Sequence, residues 1–349
     1  MTLRVLTTLL ARRGAATLAA VAALGAFAAP PVHAQELIYS LIAPNHPLNQ
    51  PVFGAWAESV AAATEGRVTV RFLDTAAAPP PRLYDAVRTG VVDSAHTFIG
   101  FLGQAAPLMQ IGMLPMMAGS AESNAVALAR TYEAHIRAVE NLEGVKILGF
   151  LSNPEGVTCS LREPITSLES LRALRMWSLP GYAAQAMEAL GLPVVAGPAT
   201  EMYELVSRGT VDGYNGVSIG DSMAFNVAQY APTCTMVEGG VFRAVFAVMI
   251  NQDRWNAIPA ADQQAIEAVS GEAFGRLSAA ADAWGEAMNA AYTAQGGQIL
   301  APSEAFTAEM AAAWAPMRQA WIDGATAAGL DGQAVLDYYL AQVAAVEAE

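Results

Sequence analysis

Four histidines, two cysteines and a scatter of acids are the side chains with chemistry to offer in this chain. A serine hydrolase needs its nucleophile on a sharp strand-to-helix elbow, with a histidine in reach. No elbow serine is expected here, and no His-Glu-x-x-His pair, Cys-x-x-Cys pair or phosphate-cradling glycine loop stands in the chain. Recognition is the better reading. Asn45 and His46 lie in the loop Ala43-Pro44-Asn45-His46-Pro47, His96 and Phe98 close a strand after Asp93, and Glu155 follows Asn153-Pro154. Tyr214 and Asn215 come just after the turn Val211-Asp212-Gly213. Together they offer hydrogen bonds, aromatic faces and a carboxylate suited to an amine or imidazole-like cation. Bland readings stand beside these: helix entry for Asn45 and His46, a structural imidazole for His96, a solvated loop acid for Glu155. Asp212 and Glu201 read as structural, Glu201 because acids favour the first turn of a helix.

Strand and helix alternation must position these residues. Residues 168–217 run strand, helix, strand, helix, strand, with Pro180-Gly181 opening one helix, Gly191 closing it and Gly209 closing the next. Such crossovers build a parallel sheet flanked by helices, and ligands bind beyond the carboxyl ends of its strands. The stretches 177–180, 196–199 and 214–217 are therefore the ones to watch. The first half repeats this grammar: a strand over 36–42, a helix over 51–64, a strand at Val68-Val70-Phe72, a short helix near Tyr84 and a strand over 91–97. The chain passes to a second domain at 149–154 and returns through the apolar run 242–250. An α/β fold of two lobes follows, each with a mixed, mostly parallel sheet. Lobe I covers 35–152 with a strand returning over 243–258, and lobe II covers 153–242. A long helix over 259–296 is expected to bridge both lobes. A strand and helices over 297–349 complete the chain. A cleft between two such lobes is the architecture of hinge closure.

The 349 residues suffice for two domains, and the 54% apolar content owes more to Ala than to bulky side chains. Arg4, Arg12 and Arg13, an apolar core over 15–29 and Val32-His33-Ala34 read as a secretory signal peptide over residues 1–34. Its removal takes away three Arg and no acid, so the formal charge moves from −14 to about −17. An exported protein this acidic is no candidate for nucleic acid or an anionic membrane surface. Export also puts Cys159 and Cys234 in an oxidising compartment, where they can pair or remain two thiols.

The segment LESLRALRM, then LGLPV, then EMYELVSRGTVDG, together with APNHP, LYDAVRTGVVDSA and INQDRWNAIPAADQQAI, resembles the substrate-binding proteins of tripartite ATP-independent periplasmic (TRAP) transporters. The resemblance covers the mature chain in order. It implies a periplasmic, monomeric receptor without cofactor or catalysis, which closes on a small molecule and delivers it to a membrane permease. A sensor handing its ligand-bound shape to a membrane kinase would look the same in sequence.

The family's carboxylate-binding Arg falls at Trp177 when aligned from Leu171, or at Met176 when counted back from Glu201. A second family Arg falls at Val157, and other contact positions fall at Ile42, Phe98 and Ala199. An Arg fork matches a carboxylate in two parallel bonds, which Trp cannot do. Trp177 offers instead a stacking platform for a planar ring or a cation, in competition with a plain core role. The expected ligand is thus a small aromatic, neutral or cationic molecule. The alternative is an organic acid clamped by Arg175, which shares a strand face with Trp177.

Overall fold

The computed structural model describes residues 34–349, so the expected signal peptide lies almost wholly outside the described residues. Two sheets carry the structure. The first is ordered β2-β1-β3-β10-β4, from β1 (Gln35–Ser40), β2 (Val68–Phe72), β3 (Ser94–Phe98), β4 (Val145–Glu155) and β10 (Arg243–Asn251). The second is ordered β11-β9-β5-β8-β6-β7, from β5 (Val157–Ser160), β6 (Met176–Ser178), β7 (Val194–Ala196), β8 (Gly213–Val217), β9 (Thr233–Thr235) and β11 (Gln298–Leu300). Both are mixed. β1 runs parallel to β2 and β3, and β6 runs parallel to β7 and β8, as helix crossovers demand. β10 lies antiparallel between β3 and β4, and β5 antiparallel between β8 and β9.

The passages between the sheets explain those antiparallel strands. β4 runs on to Glu155, and the chain crosses at Gly156, beyond the 149–154 expected for the passage. The return crossing enters β10 beside it. The Gly156 N–H donates to the Phe242 carbonyl at 2.8 Å, and Arg243 Nη2 donates to Glu155 Oε1 at 2.8 Å. A Cβ on Gly156 would stand 2.9 Å from the Phe242 carbonyl oxygen, so the two crossings lie closer than any side chain allows.

The expected long helix over 259–296 is broken. Helices Ala260–Ala268, Glu272–Gly275 and Ala279–Ala294 take its place. The break falls where Gly271 adopts φ +55° and its N–H leaves the helix to donate to the Leu148 carbonyl at 2.6 Å. A tertiary bond has replaced a helical one. The uninterrupted long helix is instead Glu304–Ala327, with Pro316 inside it, followed by Gly332–Glu347. Among the described residues no helix is long and apolar enough to cross a membrane.

Candidate functional site

The carboxyl ends of β1 and β3 face the carboxyl ends of β6, β7 and β8 across a cavity of about 730 Å³ of atom-free space, its mouth included. From the first sheet come Ile42, His46, Phe53, His96, Phe98 and Phe101; from the second, Leu179, Ala199, Thr200, Val217, Asp221 and Phe225. The floor is the pair of crossing strands, through Leu151, Asn153, Ala244 and Phe246. The wall is mostly apolar and strongly aromatic. Phe98 meets Phe101 edge-on with ring centres 5.2 Å apart, and Phe246 at 5.9 Å. Among the described lining residues there is no Lys or Arg.

Two polar groupings interrupt this wall. In the first, the His96 ring stacks on Phe53 at 4.3 Å, and its Nδ1 lies 3.2 Å from the Tyr39 hydroxyl. Burial above all pushes the His96 pKa down to about 3, so the ring is neutral. The second grouping is built on Asp221, in the first turn of the helix Ile219–Ala224. His46 Nδ1 accepts from the Leu48 N–H, so the Nε2–H is free to donate to Asp221 Oδ1 at 3.2 Å. Asn153 Nδ2 donates to both Asp221 oxygens at 3.3 and 3.1 Å, and Ser218 Oγ donates to Oδ2 at 2.8 Å. Burial raises the Asp221 pKa, but the bonds from His46, Ser218 and Asn153 outweigh it, leaving the carboxyl below its ordinary value.

Several expected site residues lie elsewhere. Trp177 is fully buried in a row that crosses the second sheet through Val195, Trp177, Tyr214, Cys159 and Cys234, each paired with the next. Tyr214 is likewise buried. Asn215 accepts from Thr158 Oγ1 at 2.8 Å and donates to Ser178 Oγ and the Ala183 carbonyl, both at 3.3 Å. Arg175 lies before β6, with Nε donating to Asp212 Oδ2 at 2.8 Å and Nη2 to Oδ1 at 3.1 Å. Glu155 is held by Arg243 at the crossing, and Asn45 is exposed on its loop. None of these six lines the cavity. His46, His96 and Phe98 do, as do the contact positions Ile42 and Ala199. Cys159 and Cys234 are disulfide-bonded at facing positions of β5 and β9.

Sequence reasoning missed Asp221, Asn153, Phe53, Phe225 and Phe246, whose local patterns say only helix start or buried strand. It also missed a motif. Gly216-Val217-Ser218-Ile219-Gly220 has the Gly-x-Ser-x-Gly spacing, on a turn from β8 into a helix. Its serine is not a nucleophile. Ser218 Oγ accepts from the Asp221 N–H at 3.0 Å and donates to the Asp221 carboxylate, a helix cap, and no histidine among the described residues bonds it.

Two mixed sheets joined by paired crossings, with a cavity at the facing strand ends, define a two-lobed solute receptor. The family model for bacterial extracellular solute-binding protein, family 7 (DctP), matches residues 39–323. The chain belongs to that family and is a TRAP solute receptor, not an enzyme. It is similar to a protein of Comamonas testosteroni named outer membrane transporter protein TsaT, at 34% identity over 309 residues, 88% of this chain and 91% of that one. A TRAP periplasmic solute-binding protein of Bordetella bronchiseptica, solved with bound (R)- and (S)-mandelate, matches with TM-score 0.85 at 27% identity, covering 89% of this chain and 99% of that one. A marine-metagenome TRAP protein specific for aromatic acid ligands, solved with 3-hydroxybenzoate, shares the fold at TM-score 0.81 and 24% identity, over 89% of this chain and 98% of that one. Receptors of this family are periplasmic and work with a membrane permease.

Proposed function

We propose that this receptor binds a small monocyclic aromatic molecule, closes its lobes around it as a monomer, and delivers it to a TRAP permease. The observation that carries the reading is the cavity wall: Phe53, Phe98, Phe101, Phe225 and Phe246 surround the space, with no Lys or Arg among its described lining residues. Aromatic faces gain from an offset or edge-on ring, while a buried carboxylate without a cation is costly. An aliphatic dicarboxylate fits this wall poorly. An ammonium fits little better, because the Asp221 oxygens already receive bonds from His46, Asn153 and Ser218. That weighs against the cationic ligand the sequence left open, and favours a neutral ring. Closure follows from a ligand that touches both sheets at once, since only the closed form makes both sets of contacts.

An aromatic acid is the second reading, favoured by the mandelate bound to the Bordetella bronchiseptica protein. Calorimetric titration with benzyl alcohol, benzoate and succinate tests both. Binding of either aromatic with no heat from succinate supports the reading, and benzoate alone selects the acid. Binding of succinate alone would return the site to dicarboxylates.

A further inference from the structure

His96 is the one polar side chain on the first sheet's wall whose state is fixed by the core behind it. Tyr39 is fully buried, and its hydroxyl has one hydrogen-bond partner among the described residues, His96 Nδ1 at 3.2 Å. A phenol has one hydrogen to give, and burying it unpaired costs about 1–3 kcal/mol. Were Nδ1 protonated, it would donate to the phenol oxygen, and the phenol's own hydrogen would turn away with no acceptor among the described residues. Tyr39 therefore donates and Nδ1 accepts. A neutral imidazole that accepts at Nδ1 carries its hydrogen on Nε2. That nitrogen has no bond to the described protein, is not among the enclosed unpartnered atoms, and belongs to a ring lining the cavity. The stack on Phe53 at 4.3 Å holds the ring plane.

We infer that His96, locked by Tyr39 as the Nε2–H tautomer, is the specificity-determining donor of this site: it selects aromatic ligands carrying an oxygen acceptor and rejects those ending in an ammonium. An oxygen, whether hydroxyl, carbonyl or carboxylate, accepts from Nε2–H. An ammonium has only hydrogens to offer and meets another hydrogen. The neutral ring also keeps its role across ordinary pH, because its pKa near 3 leaves it uncharged there. The inference rests on the aromatic-receptor reading for its ligand, and on the Tyr39 bond alone for its tautomer.

Two measurements test it. The first is the ¹⁵N spectrum of the histidine rings in the unliganded protein, which distinguishes the tautomers without any ligand. Protonated Nε2 with bare Nδ1 is expected for His96, unchanged from pH 5 to 8, and the opposite tautomer or an imidazolium overturns the inference. The second compares benzyl alcohol, benzoate, benzylamine and toluene in the wild type and in the double variant Tyr39→Phe/His96→Phe, which removes donor and acceptor together and leaves no orphan. The wild type should prefer benzyl alcohol or benzoate over benzylamine by about tenfold or more. The double variant should lose that preference, each affinity being read relative to toluene in the same protein. Benzylamine bound as tightly as the oxygen ligands, or a preference that survives the double variant, overturns the inference. Absence of binding by all four sinks the selection together with the aromatic reading, and the ring spectrum tells that failure from a wrong tautomer.

Discussion

His46 Nε2 lies 3.2 Å from Asp221 Oδ1, and the pair ties the loop after β1 of the first sheet to the helix after β8 of the second. Asn153, on a crossing strand, donates to the same carboxylate. Three parts of the receptor thus meet on one buried acid at the edge of the cavity. The His46 ring is held between Trp284, edge-on at 5.4 Å, and Phe225 at 5.8 Å, so the contact is positioned on both sides.

Asp221→Asn should lower stability by about 1–3 kcal/mol, since buried donors lose their charged acceptor. His46→Gln should cost less, and the double variant should show coupling between the two. Urea unfolding of the four proteins measures it. Strictly additive effects would mean that the contact contributes nothing between the lobes.

Asp212 gives the clearest acid dependence. The Arg175 bond, opposed by burial and helped by the Arg175 N–H and the Arg162 charge, holds its pKa near 2, below its ordinary 3.8. A depressed folded pKa contributes stability above the unfolded value and loses it as pH falls through the folded one. The contribution should be complete above pH 3.8 and disappear towards pH 2. Acid unfolding followed by circular dichroism should therefore be shallower over that window in Asp212→Asn than in the wild type. Arg175→Ala should flatten it too, with ligand affinity retained.

The Cys159–Cys234 bond closes 75 residues of chain. A loop of that length restricts the unfolded state by about 4 kcal/mol in the chain-entropy account. Reduction, or the pair Cys159→Ala and Cys234→Ala, should lower the melting temperature substantially and leave ligand affinity near that of the wild type. A melting temperature insensitive to reductant would show that the unfolded chain is already restricted.

Trp177→Ala should behave as a core deletion, costing about 3–5 kcal/mol. Trp177→Phe should cost less, because the buried indole N–H has no partner among the described residues to lose. Neither should weaken ring binding in protein that remains folded. A tenfold loss of affinity in Trp177→Phe, with stability intact, would restore Trp177 to the site.

The order of strands and helices was legible because periodicity, Gly and Pro are local signals: Gly191 and Gly209 both take positive φ at helix ends, and the strand expected within 297–349 is β11 at 298–300. The likeness of motifs gave the family, and the rule for parallel strands pointed to the carboxyl ends at which the cavity lies. What sequence cannot carry is which way a side chain faces and what lies behind it. Trp177 lies in β6 and Phe98 ends β3, yet Trp177 falls in the row of the disulfide while Phe98 opens on the cavity. Asp221 completes through Oδ2 the capping box that Ser218 opens, but its other oxygen meets a histidine 175 residues away. Gly271 breaks a helix only because a carbonyl of β4 takes its N–H. Local propensity sets the elements; long-range pairing decides which residues share a surface, and the cavity wall is made of such pairs.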